Sequence, residues 1–229
     1  MKKTLLTICL VWMCFSLSAQ KIIDLSGKWS FSIDRQDNGE KEKWFSHTLN
    51  DFINLPGSMP EKLKGDEVTA KTQWTGSLYD SSYYYNPYME KYRKEGNIKF
   101  PFFLTPDKHY VGAAWYQKEV NIPADWKGER ILLFLERPHI ETTVWVNGQK
   151  TGMQNSLCVP HQYDITRYVR PGKCTITIRV DNRIKEINVG PDSHSITDQT
   201  QGNWNGIVGR ICLQTTPKTY FDDIQIYPE

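Results

Sequence analysis

Near the end of this 229-residue chain lies the stretch GNWNGIVGRICL, residues 202–213. Glycine and asparagine dominate its first part, and these residues tolerate the backbone angles that tight turns require. The apolar run Ile211-Cys212-Leu213 that follows is typical of a buried strand. The stretch therefore predicts a turn-rich loop that enters a strand late in a β-sandwich.

Period-two alternation of apolar and polar side chains recurs along the chain and predicts short strands. They are expected at residues 28–33, 144–146, 174–180 and 221–227, and the continuous apolar run at 131–135 predicts a central strand of the sandwich that is buried on both faces. Asn147-Gly148 predicts a type I′ hairpin turn, because both residues tolerate positive φ. Short strands between Gly, Pro and Asn turns indicate an all-β sandwich with long loops. One short helix is expected at residues 89–94.

The first twenty residues are expected to form an export signal. Lys2 and Lys3 precede a mostly apolar run at residues 4–17, and the small residues Ser18 and Ala19 follow it. The apolar run is too short to span a bilayer, so no membrane anchor is expected. The protein is therefore predicted to be secreted or periplasmic, with residues 21–229 forming one domain.

Charge and cysteine content narrow the function classes. The formal charge of +2 comes from interspersed signs, so a nucleic-acid partner is not expected. Without the leader, Cys158, Cys174 and Cys212 remain and no CxxC motif is present, so neither a disulfide framework nor a metal or other cofactor is expected. Cys174 and Cys212 lie on predicted strands and are expected to be small core residues. Four acids are expected to form a solvated cluster: Asp34, Asp37, Glu40 and Glu42.

Several motifs in a fixed order resemble the sugar-binding jelly-roll domain of glycoside hydrolase family 2, which includes β-galactosidases and β-glucuronidases. The matching segments lie at residues 25–31, 53–58, 115–118, 144–148 with Gly152, Pro160 with 163–166, 179–182 and 206–210. Each motif is weak alone, but their order is specific. The resemblance covers nearly all of the chain after the leader and implies a galactose-binding-domain-like jelly roll.

The resemblance also implies what accompanies such a domain. In that family the jelly roll packs beside an immunoglobulin-like domain and a (β/α)8 barrel, and two barrel glutamates hydrolyse the glycoside with retention. Both glutamates are expected beyond Glu229, so no catalytic residue is assigned within the chain. The chain is thus expected to be a sugar-binding and structural module. The alternative is a free-standing, lectin-like carbohydrate-binding protein.

The resemblance implies that the loop before the last core strand contacts a β-glycoside or oligosaccharide. The candidate residues are Asp198, Gln199, Asn203, Trp204 and Asn205. Two roles are open for Asp198, since a carboxylate can bind sugar hydroxyls or cap a turn. Trp204 is expected either to stack on a sugar ring or to plug the edge of the sandwich.

A tyrosine-rich segment at residues 79–88 interrupts the strand pattern. Tyrosine combines an apolar ring with a hydrogen-bonding tip. The segment is expected either to line an extended glycan or to pack against a neighbouring domain.

Overall fold

The computed structural model describes residues 20–76, 81–102, 104–185, 197–220 and 224–228. Its architecture is an all-β sandwich of antiparallel sheets, which confirms the predicted fold class. The thirteen strands within the described residues are β1 (Ile22–Asp24), β2 (Gly27–Asp34), β3 (Asp51–Leu55), β4 (Gly57–Ser58), β5 (Asp66–Glu67), β6 (Lys108–His109), β7 (Ala113–Ile122), β8 (Arg130–Pro138), β9 (Glu141–Val146), β10 (Gln149–Asn155), β11 (His161–Asp164), β12 (Gly172–Asp181) and β13 (Gly206–Thr216).

One layer of the sandwich is a five-stranded sheet in the order β1-β13-β8-β11, with β4 added beside the start of β13. Residues 131–135 of β8 are all buried, because β8 lies between β13 and β11 and beneath the second layer. The continuous apolar run correctly predicts this inner position.

The other layer is a six-stranded sheet in the order β10-β9-β12-β7-β2-β3. Alternate side chains from both layers fill the space between them, as the period-two patterns predict. The core includes Trp29, Tyr116, Leu133, Ile178 and Leu213, all almost fully buried. The strands at 28–33, 144–146 and 174–180 are confirmed within β2, β9 and β12.

The hairpin between β9 and β10 has the predicted turn. Asn147 has a φ of 50° and Gly148 a φ of 77°, which are the positive values of a type I′ turn. The turn pairs Val146 with Gln149 and so fixes the register of the hairpin.

The outer face of the six-stranded sheet carries its own small core. Trp145 stacks on Phe45, with ring centroids 5.2 Å apart, and packs against Trp115. Asp34 is 2% exposed and accepts hydrogen bonds from Trp115 Nε1 and from the backbone N–H groups of Asn38 and Gly39. The prediction of a solvated acid is therefore wrong for Asp34, because its carboxylate is the buried hydrogen-bond acceptor for the Trp115 indole and for the turn at Asn38 and Gly39.

Two predicted elements differ from the structure. The expected helix at residues 89–94 is replaced by a single α-helical turn, α1 (Ser82–Tyr85), and a 3-10 helix at Pro87–Tyr92. Residues 224–227 are exposed and form no strand, because no strand of the described chain pairs with them. Residues 221–223 and the predicted leader through Ala19 lie outside the described residues.

Cys174 and Cys212 are buried on their strands, as predicted. Cys174 and Cys212 are buried free thiols and Cys158 is an exposed free thiol. Among the described residues, none of the helices has the length and apolar character that a transmembrane span requires.

Candidate functional site

The loop at residues 197–205 leads into β13 and is held by Asp198. Asp198 is 3% exposed, and its carboxylate accepts hydrogen bonds from the backbone N–H of Thr75 at 2.6 Å and of Asn203 at 2.7 Å. Nε2 of His109 lies 3.2 Å from the same carboxylate. Asp198 therefore closes the loop on itself and ties it to two other segments.

Asn205 fixes the far end of this loop to the sandwich core. Its side-chain oxygen accepts a hydrogen bond from the hydroxyl of Tyr116 at 2.7 Å. Its amide nitrogen donates to the carbonyls of Gly112 and Val180 at 2.9 and 3.0 Å. The side chain is fully buried, so the described contacts give Asn205 a structural role.

Asn203 and Gln199 contribute amide groups beneath the loop surface. Asn203 donates from Nδ2 to Thr75 Oγ1 and to the carbonyl of Asn182, each at 3.0 Å. Both amide atoms of Gln199 are buried without a hydrogen-bond partner among the described residues. Unpaired buried polar atoms are costly, and a ligand hydroxyl or a water molecule relieves that cost.

Trp204 is the half-buried aromatic residue of the loop. One face of its indole stacks on the imidazole of His139, with ring centroids 4.5 Å apart. Trp204 borders two clefts. The first, of about 290 Å³, is the Arg137 cleft, which contains Arg137, Pro138, His139, Leu157, Cys158, Gln201, Gly202 and Trp204. The second, of about 360 Å³, is the Leu104 cleft, which contains Ser58, Pro60, Glu61, residues 104–107, Asp198 and residues 201–204.

His139 supports Trp204 from inside the sandwich edge. It is 3% exposed, and its backbone N–H donates to the carbonyl of Gly206 at 3.2 Å. Burial lowers the pKa of His139 to about 4, so the ring is neutral at physiological pH. A hydrogen bond with the Asn203 side chain and the charge of Asp198 raise the pKa of His139 and offset part of this lowering.

His109 belongs to the site, and sequence reasoning missed it. Its ring lies between Asp198 and Trp74, with a centroid 4.6 Å from that of Trp74. The partners His109 and Asp198 are 89 residues apart, so no local pattern signals the pair. On its other side, His109 borders a polar cleft of about 540 Å³ that also contains Asp34, Arg35 and Tyr110.

The tyrosine-rich segment divides into buried and exposed parts. Tyr83 is buried, and its hydroxyl donates to the carbonyl of Tyr92 at 3.0 Å. Tyr84, Tyr85 and Tyr88 are exposed, at 50%, 73% and 85%. Tyr79 and Asp80 lie outside the described residues. The segment thus presents an uncovered aromatic surface.

A family model described as "Glycosyl hydrolases family 2, sugar binding domain" matches residues 22–217. The chain belongs to this family. The resemblance inferred from the ordered motifs is therefore confirmed.

Relatives with similar sequences are β-glucuronidases. The protein from Homo sapiens is 25% identical over 231 residues, which cover 89% of this chain and 30% of the relative. The protein from Paenibacillus borealis is 27% identical over 164 residues, covering 71% of this chain and 21% of the relative. The chain thus spans less than a third of the length of these relatives and corresponds to their sugar-binding domain.

Solved structures show the same fold. A β-glucuronidase from Ruminococcus gnavus superposes with a TM-score of 0.58 at 18% identity, covering 87% of this chain and 29% of that one. A β-glucuronidase from an uncultured Clostridium species superposes with a TM-score of 0.57 at 20% identity, covering 88% of this chain and 30% of that one. At these identities the likeness establishes the sandwich fold.

Proposed function

We propose that this chain is the sugar-recognising module of an exported family 2 glycoside hydrolase that acts on β-glucuronides or related β-glycosides. In this proposal the loop at 197–205 forms one wall of a substrate pocket, and a separate catalytic domain supplies the two glutamates that cleave the bond. The observation that carries the proposal is the placement of Trp204. A buried frame of Asp198, Asn203 and Asn205 holds this indole half-exposed between two clefts.

Exposed apolar surface supports the idea that further polypeptide packs against this module. Tyr85, Tyr88 and Leu104 are each more than 70% exposed, as are Ile226 and Tyr227 in segment 224–228, which forms no strand. Apolar groups left in water favour association, and the alternation in segment 224–228 suits a strand that pairs with another sheet. Such surfaces are expected on a domain that has neighbours.

A hydrolysis assay tests whether the catalytic groups lie in a separate domain. The purified chain is expected to release no 4-nitrophenol from 4-nitrophenyl β-D-glucuronide or β-D-galactoside above the buffer rate. Robust hydrolysis by residues 20–229 would show that the catalytic groups lie within them and would refute the proposal.

A free-standing lectin remains the second candidate, because the polar cleft at His109 and Tyr110 is larger than either cleft at Trp204. The two candidates differ in affinity. One wall of a pocket is expected to bind a monosaccharide with a Kd of about 10 mM or weaker, beyond ordinary calorimetry. Lys71 and Gln73 also line this polar cleft. A calorimetric Kd in the micromolar range that is abolished by Lys71→Ala or Gln73→Ala would favour the lectin.

Export is a separate part of the proposal. It rests on the charged and apolar pattern of residues 1–20. Expression in a bacterial host with a Sec pathway is expected to yield a mature protein that begins near Lys21. N-terminal sequencing checks this, and a retained Met1 in the cytoplasmic fraction would contradict it.

A further inference from the structure

A cleft of about 380 Å³ lies at the end of the sandwich opposite the loop at 197–205. The loop leads into the start of β13, whereas Lys218, two residues beyond the end of that strand, borders the cleft. The eleven residues of β13 therefore separate loop and cleft by about 30 Å. We call this concavity the Trp126 cleft after its aromatic residue. It is separate from the clefts at Trp204 and His109.

Apolar side chains from both layers of the sandwich form the floor of the Trp126 cleft. Ile122 ends β7 and Ile131 lies near the start of β8, so the two sheets meet there. Trp126 ends one 3-10 helix and Val169 follows another. These four side chains are at most 4% exposed, and the surface that they retain borders the cleft. An apolar concavity of this volume is typical of small-molecule sites, which span about 300–1,000 Å³.

Three exposed cations surround this apolar floor: Lys127, Arg170 and Lys218. Within the described part of the chain, none of them forms an ion pair with a carboxylate. Glu129 is the one acid of the lining, so the cations leave an excess of two positive charges. Neighbouring acids already serve other cations, in the pairs Lys21–Asp125, Arg130–Asp164 and Lys173–Glu119. The cleft thus combines an apolar floor with positive charge that the described residues do not neutralise.

Arg170 is the cation best prepared to bind a carboxylate. Its Nη1 atom donates hydrogen bonds to the carbonyls of Val169 at 2.7 Å and Arg167 at 3.4 Å, which anchors the guanidinium beside the floor. Nε and Nη2 form no hydrogen bond with the described residues. These two N–H groups share one edge of the guanidinium, the edge that binds a carboxylate through two parallel hydrogen bonds.

From these contacts we infer that the Trp126 cleft binds a small amphipathic carboxylate, such as an aryl- or alkylcarboxylic acid. The apolar body of the ligand packs on Trp126, Ile131 and Val169. Arg170 pairs with the carboxylate, and the two lysines add long-range attraction. A sugar ring needs hydrogen-bond partners for its hydroxyls, which the aliphatic floor does not offer. The inference therefore goes beyond the proposed function and assigns a second ligand site of different chemistry.

Three probes separate the apolar and the charged parts of this recognition: 4-phenylbutyrate, its uncharged isostere 4-phenylbutyramide, and acetate. Each is titrated into the chain while ¹³C-labelled methyl groups of Ile and Val are followed by NMR. Phenylbutyrate is expected to shift the methyl signals of Ile131 and Val169 with a Kd of about 1–5 mM. The methyl signals of Ile207, near the far end of β13, are the internal reference and are expected to stay unchanged.

The comparison of the probes gives the contribution of the charge. Phenylbutyramide is expected to bind about 3- to 10-fold more weakly than phenylbutyrate, the range of a partly exposed ion pair. Acetate, which lacks the apolar body, is expected to cause no saturable shift. The preference for phenylbutyrate is expected to shrink as salt rises from about 0.05 to about 0.5 M, because ions screen exposed charges.

Two variants locate the charge that is recognised. Arg170→Gln is expected to abolish the preference for phenylbutyrate and to leave the binding of the amide unchanged. Lys173→Gln is the matched control, because it removes the same charge three residues away. The Lys173 side chain is 80% exposed, pairs with Glu119 at 2.9 Å and lies outside the cleft lining, so the preference is expected to persist. Thermal melts of both variants check folding.

Equal affinity for phenylbutyrate and its amide, or a preference that survives Arg170→Gln, would overturn the inference. Equal affinity for acetate and phenylbutyrate would also overturn it, because the apolar floor would then contribute nothing. Unchanged Ile131 and Val169 signals with all three probes at about 20 mM would exclude a ligand of this class. None of these outcomes bears on the loop at 197–205, so the proposed function is tested separately.

Discussion

Asn205→Ala is expected to destabilise the sandwich strongly. The substitution removes three buried hydrogen bonds, to the Tyr116 hydroxyl and to the carbonyls of Gly112 and Val180. Each buried group left unpaired costs about 1–3 kcal/mol, and partial relaxation favours the low end. The expected loss in the free energy of unfolding is about 3–4 kcal/mol. With a urea m-value of about 2 kcal/mol/M, the midpoint falls by about 1.5–2 M.

The assay is urea unfolding followed by circular dichroism, with two companion variants. Asn121→Ala, on the exposed side of β7, is the matched control and is expected to change stability by less than about 0.5 kcal/mol. Tyr116→Phe removes one of the three bonds, and its double-mutant cycle with Asn205→Ala is expected to give a coupling of about 1 kcal/mol. A loss below about 1 kcal/mol for Asn205→Ala would refute the structural role and would return Asn205 to the candidate sugar contacts.

Three further predictions follow from the contacts of single residues. Gly206→Ala is expected to lower the free energy of unfolding in urea by about 2–4 kcal/mol, because its Cβ would lie 2.5 Å from the Gly57 carbonyl oxygen. The control Gly172→Ala is also at positive φ but has open space around it, so its expected loss is about 1 kcal/mol. The pKa of His139 is lowered to about 4 from an ordinary 6.5, so between these pH values only the unfolded chain binds a proton at this residue. The free energy of unfolding is therefore expected to fall by up to about 3 kcal/mol as the pH drops from 6.5 to 4, and His139→Gln is expected to reduce this pH dependence. In the chain lacking residues 1–19, only the Cys158 thiol is expected to react with Ellman's reagent in the folded state, and Cys174 and Cys212 are expected to react after unfolding. Rapid reaction of all three thiols in the folded chain would contradict the packing.

The sequence predicts most of the core strands but few of the contacts that form the site. Local alternation, as in Trp29 and Phe31, depends on which face of one strand is buried, and the Asn147-Gly148 turn depends on two adjacent residues. Both are local properties, so they are predictable without the rest of the chain. The alternation at residues 224–227 is equally strand-like, yet no pairing strand exists in the described chain. Local alternation therefore does not by itself predict that a segment pairs as a strand.

The site depends on contacts between distant segments. Asp198 meets His109 across 89 residues and Thr75 across 123, so its burial does not follow from its polar neighbours. Asp34 is misjudged for the same reason, since its partner Trp115 is 81 residues away. The motif comparison locates the loop correctly, but only the fold shows which of its polar side chains are used internally. The sugar-contacting role of the candidate residues stays a prediction.

Saturation-transfer difference NMR with methyl β-D-glucuronide tests most directly whether the 197–205 loop contacts sugar. Magnetisation is expected to pass from the chain to the ring protons of the sugar, to persist in Trp204→Phe, and to disappear in Trp204→Ala with the fold unchanged. Undiminished transfer in Trp204→Ala, or none in the unaltered chain, would contradict the account.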